Sequence, residues 1–151
     1  MQTRNNFLSE EITLWEIDRL ERSRCNPRTH STRQVREIAD SIAAYGFVVP
    51  IIVDSHGGII AGHGRFFAAK QLGLNRVPVI VAAHLSDRDK RAYALADNRI
   101  ALNADWDEEL LEAELAALAL EGVDLATLGF NETEFDAILA DLSAGDGNAD
   151  C

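Results

Sequence analysis

The sequence predicts an α+β domain, a small mixed sheet with flanking helices, followed by an acidic helical extension. Three observations carry this reading. Short β-branched runs alternate with segments of helical spacing as far as Ala83, and beyond it the strands stop. All 14 Lys and Arg residues lie between Arg4 and Arg99, so the rest of the chain is purely acidic. A turn with two glycines and an arginine, Gly62-His63-Gly64-Arg65, joins an apolar run to a helix-like pattern.

The elements follow in order. ITLWEI (12–17) alternates as a first strand. NPRTHST (26–32) is a loop in which Asn26-Pro27 sets a turn and Ser31 or Thr32 is available as an N-cap. Val35, Ile38, Ala39 and Ile42 then recur at helical spacing, and Gly46 stops that helix. VVPIIVDS (48–55) reads as a strand, His56-Gly57-Gly58 as a hairpin turn, and IIA (59–61) as the second arm. Phe66 to Leu72 is a helix ended by Gly73, and VPVIVA (77–82) is apolar throughout, which suits a central strand.

Ser86 caps the next helix, SDRDKRAYALADNRI. Asp107 caps DEELLEAELAALALEG, where Leu111, Leu115 and Leu118 form an apolar stripe and the early acids suit the helix dipole. NETEFDAILADL (131–142) repeats that design with Phe135, Ile138, Leu139 and Leu142, and SAGDGNADC has no periodicity. The expected organisation is a domain over 12–105, an acidic extension over 106–142, and a linker or truncated tail over 143–151.

The net charge of −11 conceals a split, because residues 1–100 balance to +3 while residues 101–151 carry 14 acids and no base. The overall acidity therefore does not exclude an anionic ligand for the first part. Arg19, Arg22, Arg24, Arg28, Arg33 and Arg36 cluster, either as a solvated face or as an electropositive rim around a phosphate site. No run of 18 apolar residues is present, so no membrane partner is expected. The polar N-terminus and the two cysteines, Cys25 and Cys151, fit a cytoplasmic location. His30, His56 and His84 lack paired metal spacing, which argues against zinc.

A strand, a glycine turn and a helix start together make an anion site, since unpaired N–H groups and the dipole both favour negative charge. Arg65 would add a forked donor that fits phosphate. The alternative is that Gly62 and Gly64 only permit a sharp turn. His63 reads as an acid or base, as a donor to phosphate, or as a polar loop residue, and Asp97-Asn98 reads on its own as a helix ending. Neither the P-loop pattern nor the dinucleotide pattern is met, for Phe67 stands where the latter needs its third glycine.

PIIVDSHGGIIAGHGRFFAAKQLGLNRVPVIV closely resembles the N-terminal domain of the ParB partition proteins, in the ParB/sulfiredoxin superfamily. Gly62 and Arg65 match the ends of that family's Gly-Glu-Arg-Arg box, Asn26, Pro27 and Arg28 match part of an upstream Asn-Pro loop, and Asp97-Asn98 match a downstream acid–asparagine box. The resemblance covers roughly residues 12–105 and implies the fold together with a nucleoside triphosphate site. By position, Asn26, Arg28, Gly62, His63, Gly64 and Arg65 would hold the nucleotide, and Asp97 and Asn98 would serve Mg²⁺. His63, Gly64 and Ala101 depart from the boxes, which removes two arginines and leaves Arg99 as their nearest substitute. Sulfiredoxin chemistry is excluded, because His63 stands where its cysteine nucleophile must be.

The function this implies is a nucleotide-binding, CTP among the candidates, regulatory domain of a bacterial or phage DNA transaction. The GHGR, ADNR and WDEELL pattern resembles the region that precedes the catalytic domain in some phage-type DNA methyltransferases, although no methyltransferase motif lies within these residues. The alternatives are a ParB-like nuclease or NTP-dependent enzyme, and an acidic protein-interaction module. Expected partners are a nucleotide and DNA reached indirectly through a fused or partner domain, with a homodimer among the options. Nucleotide hydrolysis is expected to be slow or absent.

Overall fold

The computed structural model describes residues 11–23, 26, 28–130 and 134. The expected helix over 131–142 and the tail over 143–151 lie outside the described residues, apart from Glu134, as do Arg24, Cys25 and Pro27. The chain divides into two compact units, the first ending at Asn103 and the second beginning at Ala104.

In the first unit, β1 (Thr13–Glu16) runs into a 3-10 turn over Ile17–Arg19. Helix α1 (Thr32–Tyr45) starts at Ser31, whose hydroxyl accepts from Gln34 N–H, and ends at Gly46. Strand β2 (Ile51–Val53) is shorter than the expected VVPIIVDS. Val48 and Val49 are exposed ahead of it, and Pro50 has no N–H to give a ladder. The turn to β3 (Ile59–Ala61) is organised by Asp54, whose Oδ1 accepts from the N–H groups of His56 and Gly58, each at 2.9 Å. Helix α2 (His63–Gln71), β4 (Arg76–Val81) and α3 (Asp87–Leu102) complete the unit.

The strand order is β1-β4-β2-β3, with β4 antiparallel to β1 and parallel to β2, and β2 antiparallel to β3. β4 is therefore central, as its apolar run implied. Ile51, Val53, Val77 and Val79 are fully buried, and Phe66 and Ala69 of α2 join the same core. Each large apolar side chain so buried contributes about 1.5–3 kcal/mol. Helix α1 packs on α2, and α3 packs against β3.

Two expectations are corrected. Helix α2 begins at His63 rather than Phe66, because Gly62 adopts the left-handed conformation (φ 103°) and turns the chain sharply enough for the first helical turn to follow at once. Asp97 and Asn98 are not a helix ending, since α3 continues to Leu102.

In the second unit, α4 (Glu108–Leu120) is capped by the Asp107 carboxylate, which accepts from Leu110 N–H, and Leu115 is its buried residue. The Trp106 and Phe130 rings stand 5.8 Å apart. No helix among the described residues is long and apolar enough to cross a membrane.

Candidate anion site

The site is built on the step from β3 to α2. Phe66 N–H donates to Gly62 C=O at 2.9 Å and closes the first turn. The N–H groups of His63, Gly64 and Arg65 therefore precede the helix's own ladder and face out of its start, where the helix dipole favours negative charge. Gly62 is required twice over. Its φ is left-handed, and a Cβ there would lie 3.1 Å from Arg65 Nη2 and 3.3 Å from Ile51 Cα. The guanidinium of Arg65 is thus folded back over the glycine, where its Nη2 donates to Pro50 C=O at 3.2 Å. Arg65 Nε is buried and has no hydrogen-bond partner among the described residues. Burial depresses the guanidinium below its ordinary value and Asp97 opposes that depression, so the side chain stays charged.

His63 is buried beside this turn, and its Nε2 accepts from Ser23 N–H at 3.1 Å. The proton of the neutral ring is accordingly on Nδ1. Burial, and then the charge of His30, hold His63 below the usual histidine value. Its ring ties the loop after β1 to the start of α2, a positional task that sequence reading did not anticipate.

A cavity of about 220 Å³ opens at the helix start. Its walls come from three separate stretches: Asn26, Arg28, His30, Gln34 and Ile38; Ile60 to Arg65; and Asp97, Asn98 and Ala101. The candidates Asn26, Arg28, Gly62, His63, Gly64, Arg65, Asp97 and Asn98 are thereby brought together. Arg99 is not among the wall residues and is exposed on α3. Asn26 Oδ1 accepts from Arg28 N–H at 3.2 Å, which shapes the loop that carries Arg28 into the wall. Asn98 Nδ2 donates to Ala94 C=O at 2.8 Å, leaving its Oδ1 for a ligand. A carboxylate and an amide oxygen fit Mg²⁺, a hard cation that takes its other ligands from phosphate and water.

The arginine cluster is shared between tasks. Arg28 lines this cavity, Arg22 lines a larger neighbour, Arg19 lies 3.8 Å over the Trp15 ring, and Arg33 pairs with Glu37. The neighbour has a volume of about 740 Å³ between β3, residues 21–23 with Asn26, and α3, and shares Asn26, Ile60 and His63 with the first. In it Lys90 Nζ pairs with Asp54 at 3.1 Å and with Asp87 at 3.4 Å. Burial pushes the Asp54 carboxyl up, but the Gly58 N–H, Lys90 and the His56 N–H outweigh it and hold the group below the ordinary carboxylate value. This tie joins residues 36 positions apart and has no local sequence signal. His30 and Gln34, also unassigned from sequence, meet across the start of α1, four positions apart. Among the described residues no three His, Cys, Asp or Glu side chains converge as a metal cluster.

A family model described as the ParB N-terminal domain matches residues 1–99. The ParB-like nuclease domain-containing protein YnaK of Escherichia coli is 48% identical over 66 residues, which is 44% of this chain and 76% of that protein. The probable chromosome-partitioning protein ParB of Rickettsia typhi is 35% identical over 91 residues, 60% of this chain and 32% of the relative. The chain thus spans about a third of that partitioning relative's length. Among solved structures, the C-terminally truncated chromosome-partitioning protein ParB of Caulobacter crescentus, complexed with CTP-gamma-S, superposes with a TM-score of 0.74 at 22% identity. That match covers 90% of this chain and 81% of the other, and it shows a shared fold.

Proposed function

The chain belongs to the ParB N-terminal domain family, and from that membership we propose that it binds a nucleoside triphosphate, CTP first among the candidates, with its phosphates at the start of α2. The observation that carries the reading is the 220 Å³ cavity, in which Arg28, the Gly62–Arg65 turn, and Asp97 with Asn98 share one wall system although the sequence holds them far apart. The N–H groups of His63, Gly64 and Arg65 donate to phosphate oxygens, and Arg28 and Arg65 balance their charge. Asp97 and Asn98 Oδ1 would hold Mg²⁺, whose charge would offset that of the phosphates. The CTP analogue in the Caulobacter structure supports the choice of nucleotide.

Binding in this reading is a regulatory signal in a bacterial or phage DNA transaction, with DNA reached through a fused or partner domain. The GHGR, ADNR and WDEELL pattern supports a DNA methyltransferase as that domain. The nuclease named for the Escherichia coli relative does not become a second reading, since the described residues offer no carboxylate cluster of the kind metal-dependent nucleases use.

Calorimetric titration with CTP, ATP, GTP and pyrophosphate, each with Mg²⁺, tests the proposal. Saturable binding of at least one nucleotide, weakened about 10- to 100-fold in Arg65→Ala with the fold intact, is the expected result. Silence from all four ligands would overturn it.

A further inference from the structure

We infer that His30 is a further phosphate-contacting residue of this site, an inference that rests on the nucleotide reading above. Gly64 sits in the first turn of α2 beside the free N–H groups, and it brings no side chain of its own. That space is filled from another segment of the chain. A Cβ on Gly64 would lie 3.1 Å from Nδ1 and 3.2 Å from Cε1 of His30, and 2.7 Å from Cδ1 of Ile38. The imidazole, together with Ile38, therefore fills the space where a side chain of the turn would begin, in the wall of the same small cavity as Arg28, Gly62 and Arg65.

The ring is also held in place. Its Nδ1 is 2.8 Å from Gln34 Oε1, and it meets Phe67 edge-on with centroids 6.3 Å apart. With an amide oxygen as its partner, Nδ1 carries a proton, and Nε2 is the ring atom left for a ligand. As the imidazolium such a ring donates from Nδ1 to Gln34 and from Nε2 to a phosphate, and a charge-assisted bond of this kind is about twice as strong as a neutral one. The charged and titratable groups around it are Arg28 on its own loop, His63 and Arg65 on α2, and Asp97 on α3. A charge on His30 opposes protonation of His63. The two histidines thus divide the work. His63 is tied to Ser23 as a neutral acceptor, and His30 is the one free to take the ligand's charge.

A packing role alone would need only an aromatic ring beside Phe67, and that difference sets the test. CTP and pyrophosphate, each with Mg²⁺, are titrated into the wild-type chain and into His30→Phe, His30→Gln and Arg65→Ala. His30→Phe keeps a ring in place and should bind roughly tenfold or more weakly. His30→Gln retains a donor and should lose less. In the wild-type chain labelled at imidazole nitrogen, the His30 Nε2 resonance should move to the imidazolium position on adding either ligand. That measurement stands even if a variant fails to fold. Wild-type affinity in His30→Phe, or an unmoved Nε2 resonance in the saturated wild type, would overturn the inference. If Arg65→Ala loses binding while His30→Phe keeps it, the nucleotide reading stands and His30 alone falls; a wild-type chain that binds neither ligand overturns both.

Discussion

The backbone N–H of Ser23 donates to Nε2 of His63 across 40 positions of sequence, and this 3.1 Å bond fastens residues 21–23 to the first turn of α2. The bond needs an unprotonated Nε2. His63 is held below the ordinary histidine value of 6.5, chiefly by burial. Between its depressed native value and 6.5 the unfolded chain binds more protons than the folded one, so stability rises with pH there. The contribution is complete above 6.5 and is lost as pH falls through the native value. Thermal midpoints measured from pH 8 to pH 5 should fall on the acid side. His63→Gln, which keeps an acceptor and does not titrate, should flatten that slope. An equal slope in both proteins would show that another group carries the pH dependence.

Arg65 lies over Gly62 with one nitrogen on Pro50 C=O and a buried Nε still without a partner among the described residues. Its loss should reduce nucleotide affinity by about 10- to 100-fold, the worth of a charged hydrogen bond at a partly buried site. Arg65→Lys should not restore it, because a lysine cannot reproduce the fork. Titration of both variants beside far-ultraviolet circular dichroism separates lost binding from lost fold. Near wild-type affinity in Arg65→Lys would mean that charge alone is recognised.

Gly62 has a left-handed φ of 103°, and the Arg65 guanidinium lies 3.1 Å from where its Cβ would be. Gly62→Ala should cost about 1–3 kcal/mol through backbone strain, with the contact to Ile51 and Arg65 added. Urea unfolding gives the difference directly. A loss below about 0.5 kcal/mol would indicate that the turn relaxes without penalty.

Turnover should be slow or absent. Stabilising a transferring phosphoryl group takes well-aimed cations, and an arginine supplied for that purpose can be worth about 10³ to 10⁵ in rate. Ala101 lines the cavity without a charge, Gly64 brings no side chain, and Arg99 is exposed outside the wall. Phosphate release with CTP, ATP and GTP should not exceed a single equivalent over hours. Multiple turnover that disappears in Asp97→Ala would reverse this expectation and make the domain an enzyme.

The order of elements, the caps at Ser31, Ser86 and Asp107, and the central place of VPVIVA were all legible in the sequence, because each depends on neighbours within a few residues. The sharp glycine turn that opens α2 could be read for the same reason, as could its resemblance to a family. Local pattern misjudged where α2 begins, since a left-handed φ at Gly62 is a backbone state that composition permits but does not dictate. It could not say that Arg65 turns back to Pro50, that His63 is committed to Ser23, that His30 occupies the space over Gly64, or that Lys90 closes on Asp54. Those contacts join residues 15 to 40 positions apart, or set a loop against a helix. Which of the distant groups meet is decided by how α1, α2 and α3 pack around the sheet. Short-range preference specifies the pieces of this protein, and burial of Ile51, Val53, Val77 and Val79 beneath the helices brings its ionic groups together.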